Sequence, residues 1–178
     1  MSEQRFAGRA RSSCARLLGD RSGSVAVEFG FVFPIFAAVL VAIIQLAVIY
    51  FAKAELIGAT QAAGREVFTG NAASTEATFQ TALCANLPVI IQCSGVMINL
   101  QPQASLSAVS TAPPALTYDG SGNVTNTFNY NPGTTNQVMV LQVMYQLPVV
   151  AGYLFDFASQ SNGSILLVAT YVFENEPQ

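Results

Sequence analysis

The chain has 178 residues, 7 basic and 10 acidic side chains, no histidine and a formal net charge of −3. Apolar residues make up 52% of it and charged ones only 10%, a balance that buries a core and excludes a charge-rich disordered polymer. The absence of histidine excludes imidazole-based triads and imidazole metal sites, and the scarcity of Lys and Arg argues against neutralising nucleic-acid phosphates.

Residues 1–23 form a basic leader. Arg5, Arg9, Arg11, Arg16 and Arg21 stand there against Glu3 and Asp20, whereas only Lys53 and Arg65 oppose the remaining carboxylates from Ser24 onward. Basic residues flanking an apolar run stay in the cytoplasm, so the N-terminus is expected inside and the larger part of the chain outside. Cys14 follows Arg11–Ser12–Ser13, where a lipidation site would need an apolar stretch, and reads as incidental.

A long helix is expected over residues 24–70. No charged residue occurs from Phe29 to Ala52, and at about 1.5 Å per residue that run reaches roughly 36 Å, enough to cross a bilayer core of about 30 Å. The membrane span is therefore placed at about residues 29–52. Glu28 sits at its lip, where a carboxylate does nothing for insertion and invites a functional reading. The bland alternative is a carboxylate favoured by the positive end of the helix dipole. Beyond the membrane, Leu56, Ala59, Ala63 and Val67 make a narrow apolar stripe, and Gly70–Asn71 is a plausible stop. Ser24 to Thr69 as one helix is a rod of about 69 Å. Pro34 predicts a kink, because it cannot donate to the Gly30 carbonyl. The pairs Gly58/Ala62, Ala59/Ala63 and Thr60/Gly64 offer a smooth face to another helix, or simply reflect an alanine-rich helix.

Residues 71–178 are expected to form one small domain. Ser74 or Thr75 caps a short helix carrying Phe79, Leu83 and Leu87 on one face, with Pro88 after it. Cys84 and Cys93 form a candidate disulfide if the domain lies in an oxidising compartment, and are otherwise two unrelated buried thiols. A Cα separation below about 7 Å decides between the two. The period then changes to two. Val96–Leu100 reads as a strand, Asp119–Gly120 with Gly122–Asn123 as a turn, and Val124 to Tyr130 as its returning strand. Gln137 to Leu147 and Ile165 to Phe173 are apolar almost throughout, and are expected as central strands covered on one face by the long helix. The fold class is thus α+β, a long N-terminal transmembrane helix projecting into a small antiparallel-sheet domain.

Val27–Glu28–Phe29, then Pro34, then the apolar span, Ala54–Glu55–Leu56 and Ala62–Ala63–Gly64–Arg65 together resemble the N-terminal signature of TadE-like proteins. These are minor pseudopilins of the bacterial tight-adherence pilus system. The chain end, Val172–Phe173–Glu174–Asn175–Glu176–Pro177, looks like the terminal strand and Asn–Glu–Pro ending of that family. The match covers about a quarter of the chain and leaves the middle, Ser74 to Asn136, unaligned. The resemblance implies a pilin-like fold and cleavage by a prepilin peptidase between Gly23 and Ser24, which makes Glu28 the fifth mature residue with Phe29 behind it. It implies that Glu28 neutralises the α-amine of a neighbouring subunit; such a pair in low dielectric is favourable only when matched, and so selects register. It also implies other pilins and pseudopilins, the inner-membrane assembly platform and the lipid bilayer as partners. The location implied is the bacterial inner membrane, single pass, or the pilus itself, in the service of adhesion and biofilm formation. One departure is Gln45, which stands where the family often has a second acidic residue inside the span.

Rival readings are weaker on the residues. No HExxH, GxSxG or Walker pattern is present, the exported carboxylates are scattered, and no enzyme, cofactor or metal is expected. Asp119–Gly120–Ser121–Gly122–Asn123 lacks the acidic alternation of a calcium loop. Asn123–Val124–Thr125 and Asn162–Gly163–Ser164 are sequons that matter only where the host glycosylates them. Ala52–Lys53–Ala54 offers a signal-peptidase site, but the apolar run exceeds the 7–15 residues or so of a signal peptide. The chief alternative is an uncleaved single-span protein with an extracytoplasmic binding or adhesive domain.

Overall fold

Helix α1 covers Ser24–Phe68, 45 residues, and continues unbroken through Pro34. The computed structural model that shows this describes residues 23–68, 75–110, 112–149, 155 and 157–175, with no side chains at 66–68. The arginine leader with Cys14, the Gly70–Asn71 stop, Ser74 and the Glu176–Pro177 ending lie outside the described residues. Among those described, α1 is the one helix long and apolar enough to cross a membrane. The chain divides into two compact units, Met1–Val41 and Ala42–Gln178.

In the first unit α1 is apolar all round and bare. Val25, Phe29, Phe31, Ile35 and Phe36 are all more than half exposed, on a helix long and apolar enough to cross a membrane.

In the second unit the same helix becomes part of a protein core. Gln45, Ile49, Ala52, Leu56, Ala59 and Ala63 are buried along it at spacings of three and four, one stripe of a 3.6-residue period. The expected apolar stripe is thus present at Leu56, Ala59 and Ala63, and begins upstream of them at Gln45. Thr60 is buried beside it and returns its hydroxyl proton to the Leu56 carbonyl at 2.7 Å.

The partner surface is a three-stranded antiparallel sheet of β1 (Val96–Gln103), β2 (Val138–Pro148) and β3 (Ser164–Glu174), in that order. Leu100 pairs with Leu141 and Leu141 with Tyr171, while Val96 pairs with Tyr145 and Tyr145 with Leu167. These residues share the sheet face that packs into the core with α1. Helix α2 (Glu76–Ala85) adds Phe79 and Leu83 to the same core. Its N-cap is Thr75, whose hydroxyl accepts from the Thr78 amide at 3.4 Å. The architecture is α+β, as the order of periods implies.

Three expectations are corrected. β2 alone is central and β3 is an edge strand; β2 is buried on both faces, whereas β3 is fully buried only at intervals along its core face and at Ser164. Val124 to Tyr130 forms no ladder. Tyr118 bridges Val124 across the Asp119 turn, and Tyr130 meets Leu100 in an isolated parallel bridge. Asparagine side chains divert the backbone there: Asn126 Oδ1 accepts from the Thr117 amide at 2.6 Å and its Nδ2 donates to the Ala115 carbonyl at 3.0 Å. The small residues of α1, finally, divide: two of the three pairs are buried in the protein itself, and one stays on the surface. Ala59, Thr60, Ala63 and Gly64 are buried, while Gly58 and Ala62 are exposed.

Candidate functional site

The segment 23–29 is built from residues with little to hold them back. Gly23 is exposed with no atom within 4 Å of where a Cβ would stand, and Ser24 begins α1 directly after it. Gly23 stands in a 3-10 turn that runs directly into α1, and both it and Ser24 are exposed. Glu28 is exposed one full turn in, and the first turn itself contains no acidic residue. The dipole effect fades within that first turn, which weakens the reading of Glu28 as a helix-end carboxylate. Ser24 and Glu28, four apart, share one face. Phe29 is 62% exposed and stacks on Phe33, the ring centroids 5.2 Å apart.

Gln45, the departure within the apolar run, is 7% exposed and lies at the head of the buried stripe. From Ser24 to Gln45 the helix rises about 32 Å, close to the thickness of a bilayer core of about 30 Å. Gln45 is the first buried residue of that stripe, while Leu46, Tyr50 and Phe51 beyond it remain exposed on the helix's other faces.

Cys84 and Cys93 are joined in a disulfide, their Cα atoms 5.6 Å apart. The bridge ties the last turn of α2 to the short 3-10 turn Cys93–Gly95 that leads into β1. Beside it the Gln92 amide donates to the Tyr145 hydroxyl at 3.3 Å.

The Asp119 turn is self-contained. Asp119 Oδ1 accepts from the amides of Ser121 and Asn123 at 2.9 and 2.8 Å, and Oδ2 from Asn123 Nδ2 at 3.0 Å. These bonds, that from the Asn123 side chain foremost, hold its carboxyl below the ordinary 3.8. The carboxylate is thereby used on its own loop, and no cluster of metal-ligating side chains occurs among the described residues. The sequon residue Asn162 is likewise engaged, donating to the Gly122 carbonyl and to Gln146, both at 3.2 Å.

Sequence reasoning missed an amide network on the outer face of the sheet. Asn99 Nδ2 donates to Gln142 Oε1 at 3.1 Å, Gln101 Nε2 to Asn99 Oδ1 at 2.8 Å, and Gln142 Nε2 to the Ala112 carbonyl at 3.1 Å. Gln146 continues it through Tyr118 to Gln160, at 2.7 and 2.6 Å. These bonds fasten the polar 112–131 segment over β2 and explain why its second face is also buried. The signal was present: Gln142 and Gln146 interrupt an apolar strand at an even spacing, which puts both on one face. Asn175 was also missed as a clasp. Its Nδ2 donates to the carbonyls of Pro132 and Thr134 at 2.8 and 3.2 Å, and so fixes the turn entering β2.

Comparison with known proteins bears on the helix. Residues 23–65 match the family model of TadE-like proteins, the family whose signature these residues resemble. No curated protein and no solved structure matches the chain.

Proposed function

We propose that this chain, TadE-like over residues 23–65, is a minor pseudopilin of a tight-adherence pilus: a structural, non-enzymatic subunit held in the inner membrane by α1. The observation that carries the reading is the coincidence of the family match with an exposed Gly23–Ser24 bond at the start of a bilayer-length apolar helix. A prepilin peptidase cuts after Gly23 on the cytoplasmic side. The new α-amine at Ser24 then stands at the membrane edge, and Glu28 of an adjoining subunit neutralises it. Two lone charges there are costly, whereas a matched pair is tolerated, so the pair sets the axial register between helices. Phe29, stacked and exposed, packs beside it against the neighbouring pilins or the assembly platform. The domain outside the membrane completes the subunit, and adhesion with biofilm formation is the output.

The test uses the native host. Intact mass of the membrane-extracted protein is expected to correspond to a chain beginning at Ser24, and Gly23→Glu to retain the leader. Glu28→Gln is expected to be inserted and cut like the parent, yet to lose most surface piliation. A parent chain that keeps its leader while the peptidase is active on other substrates would overturn the proposal. Full piliation in Glu28→Gln removes the assembly role of that carboxylate.

A further inference from the structure

A groove opens between α1 and the start of β3, within the second compact unit. Ile49, Tyr50, Phe157, Ile165 and Leu167 wall it with carbon, Lys53 stands among them, and its volume is about 250 Å³. That is below the roughly 300–1,000 Å³ of drug-sized ligand sites, and suits part of a larger amphipathic molecule.

Its position is the second observation. The wall from Leu46 to Tyr50 belongs to the uncharged run, and Lys53 is the first charge after it. Gln45, where the buried stripe begins, lies about 12 Å of helix rise below Lys53. The interfacial layer outside the hydrocarbon core is about 5–7 Å thick per leaflet, and a lysine on an apolar stem reaches back into it. Tyr50, 70% exposed, belongs to the residue type that collects at that depth. The opposite wall, Phe157 and Ile165–Leu167, is sheet domain rather than membrane helix, and Ile165 and Leu166 stay partly exposed there although apolar.

We propose that this groove binds a phospholipid with an anionic headgroup from the outer leaflet. One acyl chain lies along the exposed parts of Leu46, Tyr50, Phe157 and Ile165, and the phosphate is held by Lys53. An apolar wall and a single ammonium match the two ends of that molecule, and none of the described residues that line the groove is acidic. The inference rests on the reading of α1 as a membrane span. It adds that the domain itself is seated on lipid, which restrains its tilt about the helix.

The full chain in nanodiscs of phosphatidylcholine with or without phosphatidylglycerol, doped with a diazirine-acyl phosphatidylglycerol, tests it by mass-spectrometric mapping of photo-adducts. Adducts are expected on residues 25–44 and on Phe157, Ile165 and Leu166. The sheet adducts are expected to fall about fivefold in Lys53→Gln, the worth of one lysine near an anionic surface, with the helix adducts unchanged. Adducts on 25–44 alone, sheet adducts indifferent to Lys53, or a protein–protein cross-link in the groove would each overturn the lipid site and leave the span intact. No adducts on 25–44 would overturn the membrane reading itself.

Discussion

Gly64 sets how closely α1 lies on the sheet. A Cβ there would stand 2.5 Å from Tyr171 Cδ1 and 2.8 Å from its Cε1, inside any tolerable contact. Helix propensity favours alanine over glycine by about 1 kcal/mol, but overpacking a tight contact costs about 1–3 kcal/mol. The larger effect wins, so Gly64→Ala is expected to lower stability. Gly58, on the same helix, has nothing within 4 Å, and Gly58→Ala is expected to raise stability by up to about 1 kcal/mol. Thermal unfolding of the two variants in detergent reads the sign directly, and like signs would mean that the helix does not sit where the structure puts it. From the sequence these two glycines are equivalent members of a small-residue pattern. Only Tyr171, more than a hundred residues away, distinguishes them.

At the scale of elements, the Cys84–Cys93 bridge joins two pieces that share little regular structure. Helix α2 has 10 residues and could not persist alone in water. It is held by Phe79 and Leu83 in the core, by Phe79 against Tyr130 at 5.7 Å, and by the covalent tie at its last turn. Half-buried Tyr130 has its hydroxyl pushed above the ordinary 10.0 by burial first and by Glu76 second, so it stays neutral as a packing partner. Closing a loop of about ten residues is worth roughly 2.5–3 kcal/mol in the chain-entropy account. The double variant Cys84→Ser, Cys93→Ser is therefore expected to unfold at clearly lower urea concentration than the oxidised parent, and reduction of the parent to reproduce the shift. Coincident unfolding curves for variant and parent would show that the bridge contributes nothing. The spacing of the cysteines admitted this pairing; their 5.6 Å separation depends on how α2 and β1 meet.

For the molecule as a whole, the uncharged run of residues 29–52 falls into an exposed part and a part with a buried stripe. Its first part faces outward, while Gln45, Ile49 and Ala52 belong to the buried stripe of the second unit, which begins at Ala42. A fragment starting at residue 53, cut where the charge pattern ends the span, deletes Ile49 and Ala52 from the core. It is expected to be less stable than a fragment starting at residue 42 by at least about 2 kcal/mol, the worth of burying one large aliphatic side chain. Urea unfolding of both in mild detergent measures the difference; equal midpoints would remove these residues from the folding core.

The sequence by itself determined the long apolar helix, its competence to cross a membrane, the short capped helix, the strands later seen as β1, β2 and β3, and the family signature at residues 23–65. Each of these follows from composition, capping or a period of 3.6 or 2, which are properties of neighbouring residues. The tertiary structure decided which surfaces meet. It put β3 at an edge, buried Ala59, Thr60, Ala63 and Gly64 within the protein itself, set Gln45 at the head of the buried stripe, and laid the 112–131 segment over β2 on amide bonds. Periodicity identifies a face, but what that face touches is set by packing between residues far apart in the chain. Two uncharged helix turns read alike whether their solvent is lipid or protein, and only the sheet folded against one of them tells them apart.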